Sequence, residues 1–450
     1  MKTNHTRVTH SIEIIATQTT MPFYSVIAAI VMVMSLVAPH RVEAAAGDLD
    51  SRFGNGGVAF TDFAQTDDYA YSLAVQADGK VVLSGQSGVY PDLHSALVRY
   101  NRNGRLDSTF GTGGKVTVTF GSVSDYLFKV VLQSDGKIVG VGSTNAAAFL
   151  LARFNADGSL DQAFGTNGSV ETTFGDPTAE ARAVALQGDG KIIVAGVSGA
   201  GSYSELNDFA LARYNSDGTL DQAFGTGGKV KTHFPGVGNT GSSATSIVLQ
   251  PDGKVVVGGY YKQSDRTRHQ FALARYSSNG TLDSAFGQAG KVATRIGLGD
   301  AFSFSISLES NGRIVLAGYS DTALDHDFSL VGYAANGTLD STFGNGGFVT
   351  TDFSGGSDDI AYAMTMQTDG KLVVAGRTGD YPQNDFALAR YSSDGQLDQT
   401  FGAGGKVISD FSSIDQAYGV AFENGKIVVA GAAFPNGANF DFTVARYLGR

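Results

Sequence analysis

Apolar residues come in short bursts along this chain, separated by clusters of Gly, Asp and Asn, and no segment sustains the 3.6-residue period of an amphipathic helix. One stretch shows the pattern well. Ala183–Gln187, Ile192–Gly196, Phe209–Tyr214 and Lys229–Phe234 each read as a short strand. Gly188-Asp189-Gly190-Lys191 joins the first two as a tight hairpin, because Asp-Gly tolerates the positive φ such turns need. Phe209-Ala210-Leu211-Ala212 is apolar on both faces, as a strand sandwiched between two layers must be; a one-sided sheet would alternate.

The pattern recurs seven times, at a period of roughly 57 residues. Leu-Asp-x-x-Phe-Gly places its Phe at 53, 110, 164, 224, 286, 343 and 401. Asp-Gly-Lys or a near relative places its Gly at 79, 136, 190, 253, 312, 370 and 425. Ala-Arg-Tyr or a near relative ends at Tyr100, Phe154, Tyr214, Tyr276, Tyr333, Tyr391 and Tyr447. Four antiparallel strands per unit, seven times over, predict an all-β fold, a seven-bladed β-propeller whose blade faces cover one another. The blades fall at about 68–120, 125–174, 179–234, 244–296, 300–353, 359–411 and 415–447. The segment 57–63 has the pattern of a fourth strand, and Phe442–Tyr447 is a third strand with no fourth after it. The N-terminal strand is therefore expected to complete the last blade and close the ring, hiding both edges.

Composition refines this. Gly is frequent (60 of 450 residues), Pro scarce (8), and Cys and Trp are absent, which suits a β protein rich in tight turns and excludes disulfides and thiol chemistry. Residues 1–46 read as a signal peptide: Lys2 and Arg7 are followed by the apolar run Val26–Ala38 and the small residues Ala44-Ala45-Ala46, with Met1 or Met21 as the start. The run is too short for a membrane span, so the propeller, 47–450, is expected to be extracytoplasmic, periplasmic or secreted. Losing residues 1–46 removes three basic and two acidic groups and leaves 29 against 41, a formal charge of −12. That balance argues against nucleic acid as a partner.

Asp-Gly-Lys followed by Phe-Ala-Leu-Ala-Arg-Tyr and then Asp-Gly-x-Leu-Asp-x-x-Phe-Gly resembles the delta-60 repeat family over about residues 49–447. The resemblance implies an exported bacterial β-propeller of unassigned function and brings no catalytic residues. Gly332 departs from it where other copies have Arg, and Asn311 and Asn424 replace the turn Asp.

The repeated polar residues read as scaffold. Asn155–Asp161 looks like part of a calcium loop, but Arg153 stands where the first ligand should be, and Asx turns explain the segment. The recurring Arg (Arg99, Arg153, Arg213, Arg275, Arg390, Arg446) and the recurring Asp of Leu-Asp are expected to pair. Function should lie where copies differ, on the face that carries the second-to-third loops and the blade connections. Asp68, Asp125, Glu180, Asp300, Asp359 and Asp415 fall just before the first strands and would ring the channel mouth. Tyr90, Tyr203, Tyr261, Tyr381 and Phe434 lie in the variable loops, where rings stack on sugars or anchor a protein. His94, His233, His269 and His326 are scattered, one to a copy. No catalytic residue or dedicated metal site is assigned. Calcium is the one cofactor the acidic ring could hold.

These features predict a non-enzymatic scaffold that binds a glycan, a small molecule or a protein through its acidic face. The alternative is a glycoside or lactone hydrolase or a lyase using channel-mouth carboxylates. A purely structural matrix repeat would show no preferred pocket.

Overall fold

The computed structural model describes residues 44–450 apart from 122–123, 145–146, 201–205, 235–240, 263–267, 323–324 and 436. The expected signal peptide lies almost wholly outside the described residues, as does Tyr203. The compact unit runs Ala45–Arg450. Its described residues form seven four-stranded antiparallel sheets and no helix. None of the described residues forms a helix long and apolar enough to cross a membrane.

The third blade shows the plan, with strands Thr178–Leu186, Ile192–Gly199, Asn207–Tyr214 and Lys229–Thr232 in consecutive order. Its first strand starts five residues earlier than the sequence pattern predicts, because a bulge between Ala181 and Ala183 breaks the alternation there. First strands pack against first strands all the way round, the seventh against the first. The last sheet is completed from the other end of the chain: Val58–Thr61 pairs with Asp441–Leu448 in the register Val58↔Ala445 to Thr61↔Phe442. The ring is closed, as the phase of the repeat predicts. The chain ends also rebuild the missing turn of that blade. The Gly402 amide donates to the Ala46 carbonyl at 2.9 Å, and Arg390 Nη1 donates to the Gly449 carbonyl at 2.6 Å.

A repeated clamp joins each blade to the next. The Arg213 guanidinium lies 2.8 Å from the Asp221 carboxylate and 4.6 Å from the centre of the Phe224 ring. Its Nη1 donates to the Ser278 carbonyl of the following blade. Lys191, from the hairpin turn, reaches the same carboxylate at 2.8 Å. Arg99, Arg153, Arg275, Arg390 and Arg446 repeat the arrangement, with Arg–Asp separations of 2.7–2.9 Å. The fifth blade, which has Gly332, recovers it by another route: Arg313 replaces the turn lysine, lies 2.7 Å from Asp340 and donates to the Ser393 carbonyl of the sixth blade. A Cβ at Gly332 would meet Phe343 at 2.6 Å.

A second link is a buried hydroxyl pair. Tyr214, Tyr276 and Tyr391 donate to Thr172, Thr232 and Thr351 on the outermost strand of the preceding blade, at 2.7–2.8 Å. In the second blade the tyrosine is Phe154 and its neighbour on the preceding blade is Val118. Both polar partners are gone together, so no orphan is left.

Replacing Arg213 with Met leaves the buried Asp221 carboxylate with Lys191 as its one cationic partner among the described residues, beside the Ala223 amide. We expect a loss of about 3–5 kcal/mol in denaturant unfolding, the range for breaking a buried pair by removing one partner; an unchanged midpoint would show the clamp to be energetically idle.

Candidate functional site

Every first strand carries its bulge at one place, where the pairing skips one residue between Ala70/Ser72, Leu127/Lys129, Ala181/Ala183, Ala244/Ser246, Ser303/Ser305, Ala361/Ala363 and Ala417/Gly419. The skipped residue is Tyr71, Phe128, Arg182, Thr245, Phe304, Tyr362 or Tyr418. These seven, with Lys129, line one cavity of about 310 Å³. Since each blade contributes one of them, that cavity is the axial channel. The bulge explains a glycine in the second strand of each blade. A Cβ at Gly85, Gly142, Gly196, Gly259, Gly318, Gly376 or Gly431 would stand 1.8–1.9 Å from a first-strand carbonyl oxygen. Only Gly lets the two backbones approach so closely.

Five of the seven bulge residues are aromatic and touch in series. Ring centres are 5.5 Å apart for Tyr71–Phe128, 5.6 Å for Tyr71–Tyr418, 5.0 Å for Tyr362–Tyr418 and 5.6 Å for Phe304–Tyr362. The belt extends outward through Phe302, Tyr260 and Tyr319 on one side. On the other it runs through Tyr69 and Phe440 to Phe434. Burial, then Asp67 and Tyr381, push the Tyr69 phenol up to about 12. Arg182 lies 2.7 Å from Glu180 and donates to the Ser243 hydroxyl at 2.5 Å. Burial opposes its charge, but Glu180 and Tyr260 outweigh that and hold its pKa above the ordinary value. Burial alone lowers the Lys129 ammonium, which makes no ion pair among the described residues. The channel is thus aromatic, with two cationic groups.

Four of the six acids expected to ring the mouth lie elsewhere. Asp68, Asp125, Asp359 and Asp415 are fully buried and face the seams between blades. Each carboxylate accepts the amide of a residue just after the preceding fourth strand: Phe63 (2.7 Å), Phe120 (2.9 Å), Phe353 (2.6 Å) and Phe411 (2.6 Å). They fasten the blade connection. Glu180 and Asp300 are one residue out of register with them, since Ala179 and Ala301 occupy the equivalent positions. That slip turns a side chain to the other face of the strand. Glu180 consequently faces the channel, and Asp300 accepts from His269 Nδ1 at 3.0 Å.

The loop aromatics divide similarly. Tyr90 and Tyr381 are 83% and 77% exposed, while Tyr261 is 3% exposed and stacks on Phe234 in the core. Its neighbour Tyr260 is the channel-side ring. Phe434 is half-buried against Phe440. Of the scattered histidines, His269 and His326 come to adjacent blades of the mouth, 5.6 Å from Tyr260 and 5.0 Å from Tyr319. His326 Nδ1 lies 2.9 Å from Asp321. The channel ring itself was missed by the sequence reading, although a Gly recurring inside an otherwise apolar strand is a signal for a bulge.

Seven seams can be compared position by position: the start of a third strand, the end of a fourth, and the start of the next first strand. Three consecutive seams hold three carboxylates each, with oxygens within 4.8 Å of one another: Asp327/Asp352/Asp359, Asp385/Asp410/Asp415 and Asp441/Asp62/Asp68. The seam between the third and fourth blades has Asp208, His233 and Ser242, and His233 Nδ1 lies 2.9 Å from Asp208. The next has Gln270, Arg295 and Ala301, and the one before has Ala148, Thr173 and Ala179. The first seam has Asp125, which accepts from the Ser95 amide and hydroxyl at 2.9 and 2.6 Å.

An all-β ring of seven four-stranded sheets around a variable central channel defines the class as a repeat β-propeller. Six segments, 76–110, 133–164, 187–224, 250–286, 309–343 and 367–401, match the family model described as a domain of unknown function (DUF5122) beta-propeller. Each segment runs from a first hairpin turn to a Leu-Asp-x-x-Phe motif. The seventh blade, divided between the chain ends, cannot supply one contiguously. No curated protein matches the sequence. Among solved structures the chain is similar to an ulvan lyase described as a new polysaccharide lyase family (12% identity, TM-score 0.51, 87% of this chain and 96% of that one). It is also similar to a catalytically inactive virginiamycin B lyase from Staphylococcus aureus with quinupristin (12%, 0.50, 86% and 98%). A protein of unknown function from Dyadobacter fermentans aligns at 10% identity and TM-score 0.43, over 88% of this chain and all of that one. At these identities the likeness to the two lyases is one of fold.

The sequence signal for the bulge can be tested directly. Gly196→Ala would place a methyl 1.9 Å from the Glu180 carbonyl oxygen and should cost about 3 kcal/mol or more, within the severe class of backbone clashes. Gly188→Ala, where nothing lies within 4 Å and φ is not positive, should unfold like the parent. The seams make a pH prediction. Burial, reinforced by Asp neighbours, pushes Asp327, Asp359, Asp415 and Asp441 up to about 6, and Asp68 likewise. Their folded pKa exceeds the unfolded value, so their contribution is fully present below about pH 4 and is lost as pH rises through about 6. Clamp carboxylates such as Asp161 and Asp221, lowered first by their lysines, act in the opposite sense below about pH 4. In chelator, the melting temperature should therefore be several degrees higher at about pH 5 than at about pH 7.5. Asp441→Asn should shrink that difference; a flat profile would contradict proton uptake at the seams.

Proposed function

We propose that the protein is an exported, non-enzymatic propeller of the delta-60 type that binds a glycan at the mouth of its axial channel. The observation that carries this is the ring of bulge residues, where the seven blades send three Tyr, two Phe, one Arg and one Thr to one place. Touching aromatic faces suit the C–H faces of sugar rings, and Arg182 and Lys129 suit hydroxyl or carboxylate substituents. The cavity, at about 310 Å³, has room for a saccharide end rather than a long chain lying flat. Export rests on the N-terminal leader pattern.

A second reading, a lyase or hydrolase acting on sugars or lactones, rests on the His269–Asp300 and His326–Asp321 pairs at the same mouth. It no longer draws on the buried seam carboxylates. The two readings separate by whether bound glycan is recovered intact.

A glycan array followed by calorimetry on the chain lacking residues 1–46 should reveal a saccharide whose affinity falls about tenfold or more in Tyr362→Ala and in Tyr418→Ala. Binding indifferent to both variants would remove the channel from the account, and release of shortened or unsaturated products would favour the enzyme.

A further inference from the structure

The seam between the fifth and sixth blades differs from the other two acidic seams in what its carboxylates lack. Asp359 is fully buried, and no donor reaches hydrogen-bond distance of its Oδ1, although the Thr378 hydroxyl across the strand lies near enough to favour the charged carboxylate. Asp327 Oδ1 is also buried without one. Among the described residues no Lys, Arg or His forms an ion pair with the carboxylate of Asp327, Asp352 or Asp359, and Lys406 Nζ donates to the Asp352 main-chain carbonyl at 2.9 Å. At the other two acidic seams, Asp68 and Asp415 have both oxygens bonded, to Phe63 and Thr66 and to Phe411 and Ser412. Where the third seam carries an acid, His233 stands in the place of Asp352 and meets it. Elsewhere in the ring, then, the repeat satisfies this pocket with a hydroxyl, an amide or a cationic side chain.

An orphaned carboxylate oxygen in a desolvated pocket is costly unless something binds it. We propose that Asp327, Asp352 and Asp359 hold a divalent cation, calcium in preference to magnesium. Three hard anionic oxygens within 4.8 Å of one another match the donor type and spacing that calcium accepts. The exposure of Asp352 leaves room for water to complete the shell, and irregular geometry of this kind suits calcium better than the octahedral demand of magnesium. The site also touches the channel wall. The Asp359 amide donates to the His326 carbonyl at 2.7 Å, and His326 packs on Tyr319. A bound ion would tie two blades together directly behind that side of the mouth.

The test is thermal melting of the chelator-treated mature chain, titrated with calcium chloride. We expect the melting temperature to rise by several degrees with a midpoint near roughly 10⁻⁴–10⁻³ M, the range of extracellular calcium modules, and magnesium to give a smaller rise. Asp352→Asn should fold normally, because the retained Oδ1 still accepts from the Ser354 and Gly355 amides, and should abolish the rise. Asp62→Asn and Asp410→Asn, in the sister seams, should retain it. No rise with calcium, an equal rise with sodium chloride of matched ionic strength, or a rise kept in Asp352→Asn would each overturn the assignment. So would its loss in the sister variants alone.

Discussion

Seven blades stay together because a guanidinium in each one is held in three directions at once. It meets a carboxylate of its own blade, lies over a phenylalanine ring, and donates to a main-chain oxygen of the next blade. Removing such a charge from water is expensive, and the carboxylate, the turn lysine and the carbonyl together offset that expense. The fifth blade makes the constraint visible. It has lost the arginine from its third strand yet regained a guanidinium at the same carboxylate from the hairpin turn, with Gly332 vacating the space. The requirement is for the group, and its point of attachment is free.

The same economy governs the other contacts between blades. Tyrosine and threonine hydroxyls appear together or, at Phe154 and Val118, vanish together. Fourth strands are only four residues long, and lysines at their starts, such as Lys229 and Lys406, donate to carbonyls of the preceding blade. Short, charged outer strands leave little free edge to recruit another chain. With the scaffold secured in this way, the bulge residues can differ from blade to blade. The channel collects that freedom in one place, and the seams collect a second, smaller share of it.

Much of the architecture was legible from the sequence because it depends on local, repeated rules. Asp-Gly turns set the hairpins, double-sided apolar runs marked the sandwiched strands, and the phase of the repeat at the two ends implied the closing strand. The site was less legible. Asp68, Asp125, Asp359 and Asp415 were visible as recurring acids, but sequence proximity to a turn does not tell a rim from a seam. Tyr261 was picked over Tyr260, and Glu180 and Asp300 were grouped with residues they do not match. All three errors are displacements by one residue, to which a strand with period two is most sensitive.

Taken alone, the sequence determined the blade count, the strand order and the closure of the ring, since each follows from turn chemistry and burial within one unit or from the phase between units. Tertiary structure decided which side chains converge. A bulge changes the face on which every preceding residue of its strand lies, and only the packed ring brings residues about 57 positions apart to one axis. The chemistry of the channel and of the seams therefore belongs to the assembled propeller and to no single blade.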